Sequence, residues 1–355
     1  MTVRVDDAWA YDGQPLIRLE NEHLQADVLP GMGGKILHLV DKAADRDVLW
    51  RNPRVRVRPG PIGADVDDWF AGGWDDAFPT GDACLSEHGE RLPYMGEVWN
   101  LALRARVERA GPDEAVVVLD GHTPITPARW TRTLTLRAGE PLLHLRTRIE
   151  NVGHRPFAFS WGSHPALAVH PGMRLDVPAA RGEVTDAGGD GGPLGALGET
   201  YEYPLLRRGT GGASAGGAAD GDDAFDVRRV PGPDTAHHAL HALTGLRAGW
   251  IAATDPVARR GFGVVFDPEL HRCVWQWMAY GGFRGWYHAI VEPWTAPQPS
   301  LADARAAGTA RTLAAGEALE SEMTGVLYGG VTSVAALDAS GAVVGAEAED
   351  SEGNG

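Results

Sequence analysis

The chain has 355 residues, 43% of them apolar, and a formal net charge of −16. That is enough apolar material for a large core, and length alone would allow two domains, although an all-β domain can run past about 200 residues as one unit. The acidic balance argues against nucleic acid and anionic membrane as partners, because a protein that neutralises phosphates needs a basic surface.

Strand signals dominate in chain order. LIRLEN, LQADVLP, LRARVER, AVVVLDG, RWTRTLTLR, LLHLRTRIEN, FGVVFD and CVWQW are short, partly alternating, and bounded by Gly, Pro, Asn or Asp. RWTRTLTLRAGEPLLHLRTRIENVG reads as a hairpin with AGEP as its turn. The clearest helical segment is SLADARAAG, short and capped by Ser300. Strands without intervening helices predict an all-β fold, a large antiparallel sandwich, rather than a doubly wound sheet.

Two stretches break the pattern. Residues 183–224 hold DAGGDGGPLGALGE and GTGGASAGGAADGDD, too rich in Gly and Ala to pack a core, and read as a mobile insertion. The acidic segment 336–355 reads as a disordered tail. One sandwich domain over 1–335 is therefore expected. No apolar run reaches 18 residues, and MTVRVDDAWAYDGQPL lacks a signal-peptide core, so a soluble, cytoplasmic protein is expected. Cys84 and Cys273, far apart and without metal-type spacing, read as ordinary thiols of a reducing compartment.

Several chemistries find no motif. PGMGGK at 30–35 lacks the spacing and the Ser/Thr of a phosphate loop and reads as a tight turn. H-E-x-x-H and Cys/His clusters of metal type are absent, so metal chemistry is not expected. What remains is histidine and carboxylate. His164, in FAFSWGSHPALAVH, reads either as a hydrogen-bonded core histidine or as a proton carrier. Glu292, in YHAIVEPWTAPQPSL, reads either as an exposed strand-end acid or as a buried one with a partner or a chemical task. Together, an imidazole and a carboxylate across a dry cleft can act as acid and base near neutral pH. Tryptophans crowd these segments, among them Trp74, Trp161, Trp275 and Trp286. Indole faces stack on the C–H face of a pyranose while carboxylates and amides, such as Asp75, Asp76 and Gln276, hold its hydroxyls. The same aromatics suit an ordinary packed core.

In order and spacing, NEHLQADVLPGMGGKILHLVDKAADRDVLW, GGWDDAFPT, SHPALAV, VEPWTAPQPSL and TLAAGEALESEMTGVLY resemble segments of the aldose 1-epimerase (galactose mutarotase-like) family, over about residues 16–330. The resemblance implies a large antiparallel β-sandwich that binds a small carbohydrate and interconverts its anomers without a cofactor. It implies Glu292 as the base at the anomeric hydroxyl and His164 as the acid at the ring oxygen. Trp74, Asp75, Asp76, Trp161, Trp275 and Gln276 are the expected sugar-holding residues. One departure stands out: where the family has a histidine after the GGW segment, LPYMGEV has Met95, which can neither donate a hydrogen bond nor carry a proton. His88, in SEHGE, is the candidate to replace it. Three other readings stay open. A hexose-phosphate 1-epimerase would use Arg51, Arg54, Arg56, Arg58 and Arg284, although RVRVR reads more simply as the solvated face of an edge strand. A sugar sensor would have kept the cleft and lost turnover. Chemistry at a carbon other than C1 would use the same two residues. Oligomeric state and the identity of the sugar are not legible.

Overall fold

A computed structural model describes residues 2–188, 193–207 and 224–346. The larger sheet has 12 strands. Its central run, in spatial order, is Lys35–Asp41, Trp74–Ala77, Gly162–Leu167, Tyr287–Trp294, Cys273–Tyr280, His237–Thr244 and Arg181–Asp186, all antiparallel. An 8-stranded antiparallel sheet packs against it, and includes Ala128–Arg137, Leu142–Asn151, Arg260–Phe266 and Ala318–Gly329. The AGEP hairpin forms as expected, with Leu136 paired to Leu143 and Ala128 to Asn151. SLADARAAG gives the helix Leu301–Ala306, and the Ser300 side chain accepts from the Asp303 N–H at its start.

The interface between the sheets is the main core. Trp74, Phe78, Trp130, Leu134, Leu145, Trp161, Phe262 and Val291 meet there, all buried. A fully enclosed ion pair crosses it: Arg132 of the smaller sheet lies 2.5 Å from Asp76 of the larger.

Three local expectations change. Within 183–224, the described residues contribute strands: Arg181–Asp186 pairs with His237–Thr244 on one side and with Thr200–Glu202 on the other. Val184, Leu194, Tyr201 and Leu206 are buried, because apolar side chains spaced between the glycines reach the core. Much of the Gly-rich sequence, 189–192 and 208–223, lies outside the described residues. The chain also stays structured past 336, where Val334–Leu337 pairs with Val343–Gly345; residues 347–355 lie outside the described residues. RVRVR is not an edge strand but a turn-rich segment whose arginines take local partners. Arg54 donates to the Arg284 carbonyl, and Arg58 lies over the Trp69 ring.

Candidate active site

Strand register builds the site. Gly162 faces Trp294 and Ala166 faces Ile290, which sets His164 directly across from Glu292. On its other side His164 is paired with Asp75, and Glu292 is paired with Trp275. Ile36 opposite Trp74 brings Lys35 beside Asp75. Lys35, Asp75, His164, Glu292 and Trp275 therefore form one transverse row over five strands, all on the face turned away from the second sheet. Side chains directly opposite in antiparallel strands have Cβ atoms about 4.5–5.5 Å apart, so the members of the row are neighbours.

The row is hydrogen-bonded at its closed end. The Lys35 ammonium reaches Asp75 Oδ2 at 2.5 Å and the Gly72 carbonyl at 3.0 Å. Asp75 Oδ1 holds His164 Nδ1 at 2.8 Å, which leaves the other ring nitrogen free for the cavity. Trp294 Nε1 donates to Glu292 Oε2 at 2.7 Å, and its indole stacks on Trp275 at 3.8 Å between centroids. Only a glycine fits at 162, because a Cβ there would sit 2.0 Å from the Trp294 ring.

Burial and charge tune the pair. Burial pushes the Glu292 carboxyl up to about 7, against the pull of His164 and the Trp294 N–H. Burial would lower His164, but Glu292 and Asp75 outweigh it and hold the imidazole above its ordinary value. Burial would raise Asp75, yet Lys35 and His164 keep it below the usual carboxylate range. The row thus sets the Lys35–Asp75 ion pair behind an imidazole held above its ordinary value and a carboxyl pushed up to about 7.

The row opens into a cavity of about 450 Å³. The short helix Val66–Trp69, capped by Asp65, lays Val66, Asp67 and Phe70 over it. Tyr94 and Met95 close one side, and Trp277, Phe283, Trp286 and His288 the far end. Burial raises Asp67 and Asp82 above the usual carboxylate range, with neighbouring acids adding to it. No lysine or arginine lines this cavity among the described residues.

The expected sugar-holding residues divide. Trp275 lines the cavity with His164 and Glu292. Asp75 sits behind His164, fully engaged with it and Lys35, so it positions the imidazole rather than holding a hydroxyl. Trp74, Asp76, Trp161 and Gln276 point the other way, into the sandwich. Trp74 donates to Ser163, Trp161 to Asp76, and Gln276 to the Val227 carbonyl. The reason is the two-residue period of a strand, which puts Asp75 and its neighbours Trp74 and Asp76 on opposite faces. His88 does not replace the missing histidine: its Nε2 bonds the Pro156 carbonyl at 2.9 Å, beside a separate pocket. Met95 does line the cavity, with φ at +59°. Lys35, Asp67, Phe70, Tyr94 and His288 were not anticipated. Only His288 had a signal, since positions 288, 290 and 292 share one face.

Among known proteins, residues 10–91 match a family model described as a domain of unknown function, DUF5107. The fold is similar to that of a TPR-domain containing protein from Parabacteroides distasonis, at 15% identity and a TM-score of 0.61. That match covers 88% of this chain and 46% of the other, so the chain spans less than half the length of that protein. The Slr1438 protein of Synechocystis matches at 18% identity and a TM-score of 0.62, over 90% of this chain and 98% of that one. A galactose mutarotase-like protein from Lactobacillus casei matches at 14% identity and a TM-score of 0.57, over 88% of this chain and all (100%) of that one. Identities this low carry the architecture alone, and on that ground the chain has a galactose mutarotase-like β-sandwich fold.

Proposed function

We propose that the protein is an aldose 1-epimerase-like isomerase, which interconverts the anomers of a free sugar or an uncharged sugar derivative. The observation that supports this most is the cross-strand pair His164 and Glu292, buried side by side in the wall of an aromatic cavity and both tuned toward neutral pH. Glu292, as carboxylate, takes the proton of the anomeric hydroxyl. The O–H electrons form the C1 carbonyl, the bond from C1 to the ring oxygen breaks, and that oxygen takes a proton from the His164 imidazolium. Rotation about C1–C2 presents the other carbonyl face. Closure returns the proton from Glu292 to O1, and His164 takes its own back from the ring hydroxyl. Nothing is consumed. Acid and base each contribute on the order of 10²–10⁴-fold.

The absence of Lys and Arg from the described cavity lining weighs against phosphorylated sugars. Of the arginines considered for that task, Arg284 is paired with Asp68 and Arg51 lies over Tyr11. Met95 in the wall favours a second reading, sugar binding without turnover. Saturation-transfer NMR on glucose and galactose separates the two. Catalysed anomer exchange lost in both Glu292→Gln and His164→Asn supports the isomerase; exchange that survives both rules out these roles. Saturable binding without exchange favours the sensor.

A further inference from the structure

The turn 93–96 is a part of the cavity wall that the proposed reaction leaves unused. It is pinned to the segment that follows the strand Trp74–Ala77. The Met95 N–H donates to the Gly81 carbonyl at 2.5 Å, and the Glu97 N–H to the Phe78 carbonyl at 2.6 Å. The Gly96 N–H closes the turn on the Pro93 carbonyl at 3.0 Å. Gly81 lies against the indole of Trp275, since a Cβ there would stand 2.8 Å from that ring. Trp275 is in turn the cross-strand neighbour of Glu292. The turn is thereby fixed one indole away from the proposed base.

The two side chains of the turn part. Met95 holds φ at +59°, a conformation that residues other than glycine seldom adopt, and its side chain is buried in the aromatic cluster that contains Trp275 and Trp294. Backbone strain of this kind gathers at binding and catalytic sites. Tyr94, one residue earlier, lines the cavity with 37% of its surface open. Its hydroxyl has no hydrogen-bond partner among the described residues. Partial burial, with the charges of Asp67, Asp82 and Glu292, pushes the phenol above its ordinary value. It therefore stays protonated, a donor that does not compete with Glu292 for a proton. The pull of Glu292 on it also sets the hydroxyl within electrostatic reach of the base.

We propose that the Tyr94 hydroxyl donates a hydrogen bond to O1 of the sugar as Glu292 removes the O1 proton, and then holds the carbonyl oxygen of the open chain. The inference rests on the proposed reaction, which identifies the oxygen. Negative charge gathers on O1 as its proton leaves. A neutral donor aimed at O1 stabilises that charge more than it stabilises the resting hydroxyl, so it lowers the barrier in both directions. Met95 has no donor to offer, and His88 is bonded to Pro156 beside another pocket. Tyr94 supplies the donor from the adjacent position.

Tyr94→Phe removes the hydroxyl alone and tests this. Because it leaves no protein group unpaired, urea unfolding should match that of the native chain. kcat for anomer exchange of glucose should fall about tenfold or more, the size of a hydrogen bond to a charge-bearing oxygen, with KM little moved. 2-Deoxyglucose, which keeps O1, should show the same loss. An unchanged kcat, or a loss confined to KM, overturns the proposal. So does a loss that vanishes with 2-deoxyglucose, which would hand the contact to O2. If no sugar is anomerised, the reaction fails by itself, and the contact is read from saturation-transfer binding of glucose and of 1,5-anhydroglucitol, which lacks O1. Binding weakened by Tyr94→Phe for glucose alone upholds it. Equal weakening of both, weakening of neither, or no saturable binding overturns it.

Discussion

Replacing Asp75 with Asn tests whether the fixed ion pair behind His164 serves the chemistry or only the fold. The amide preserves shape but removes the charge between the Lys35 ammonium and the His164 ring, contacts of 2.5 and 2.8 Å. An opposite charge at this range favours the charged form of its neighbour, so His164 should titrate lower without it. Its protonated fraction at neutral pH would then fall, and kcat with it, by at most about 10²–10⁴-fold, the whole contribution of a general acid. Stability falls as well, because Lys35 is left buried and uncompensated, at a cost of about 3–5 kcal/mol. The sign with pH follows from Asp75, whose folded pKa is depressed. Its contribution is present above about 3.9, the unfolded value, and is lost as pH falls through the lower folded one. Native and variant stabilities should therefore converge in acid. The double variant Lys35→Met with Asp75→Asn separates the effects, since an apolar replacement of a buried pair is often neutral. Denaturant unfolding should recover while anomer exchange stays slow and its alkaline limb stays shifted down. If the double variant regains full exchange, or Asp75→Asn leaves the pH profile unmoved, the proposed coupling through Asp75 is wrong.

The remaining predictions concern the same face and its supports. Glu292→Gln should abolish exchange yet stabilise the protein in alkali. A carboxyl raised from about 4.5 to about 7 on folding carries a cost that grows across that window, reaches about 3 kcal/mol and stays level above it; thermal unfolding near pH 5 and pH 8 would show the gap opening, and a more stable native protein at pH 8 refutes the burial argument. Gly162→Ala should lower stability by about 1–3 kcal/mol and also reduce kcat, because the methyl displaces Trp294, which orients Glu292; a loss of stability with unchanged kcat would detach that indole from the site. Ser300→Ala should lower stability by about 1 kcal/mol through the lost helix cap, measurable by urea unfolding, and a difference near zero would mean that packing alone holds the Leu301–Ala306 helix.

Which parts of the site could be read from residues alone follows from the geometry of a strand. His164 and Glu292 could be singled out because each places a titratable group in an apolar run, where it needs a partner, and each has one, Asp75 and Trp294 respectively. The sandwich was legible for a similar reason, since alternation survives in strands with one face on the core, as in Ala128–Arg137. WDDA defeats that rule because all four of its residues are buried. With no exposed face to mark parity, Asp75 and Asp76 look alike in sequence, yet one holds His164 and the other pairs with Arg132 across the core. Gln276, next to Trp275, fails in the same way. Pairing resolves what composition does not. Once Glu292 is taken to face the cavity, the strand period places Ile290 and His288 there as well, and the register carries the same face to Trp275, His164 and Asp75. Lys35 stayed hidden because its role depends on a contact 40 residues away in sequence. Met95 shows the opposite limit: it stands in the cavity wall, but its side chain can neither donate a hydrogen bond nor carry a proton. The second imidazole lining this cavity among the described residues is His288, on the strand of Glu292, and not His88 in the loop.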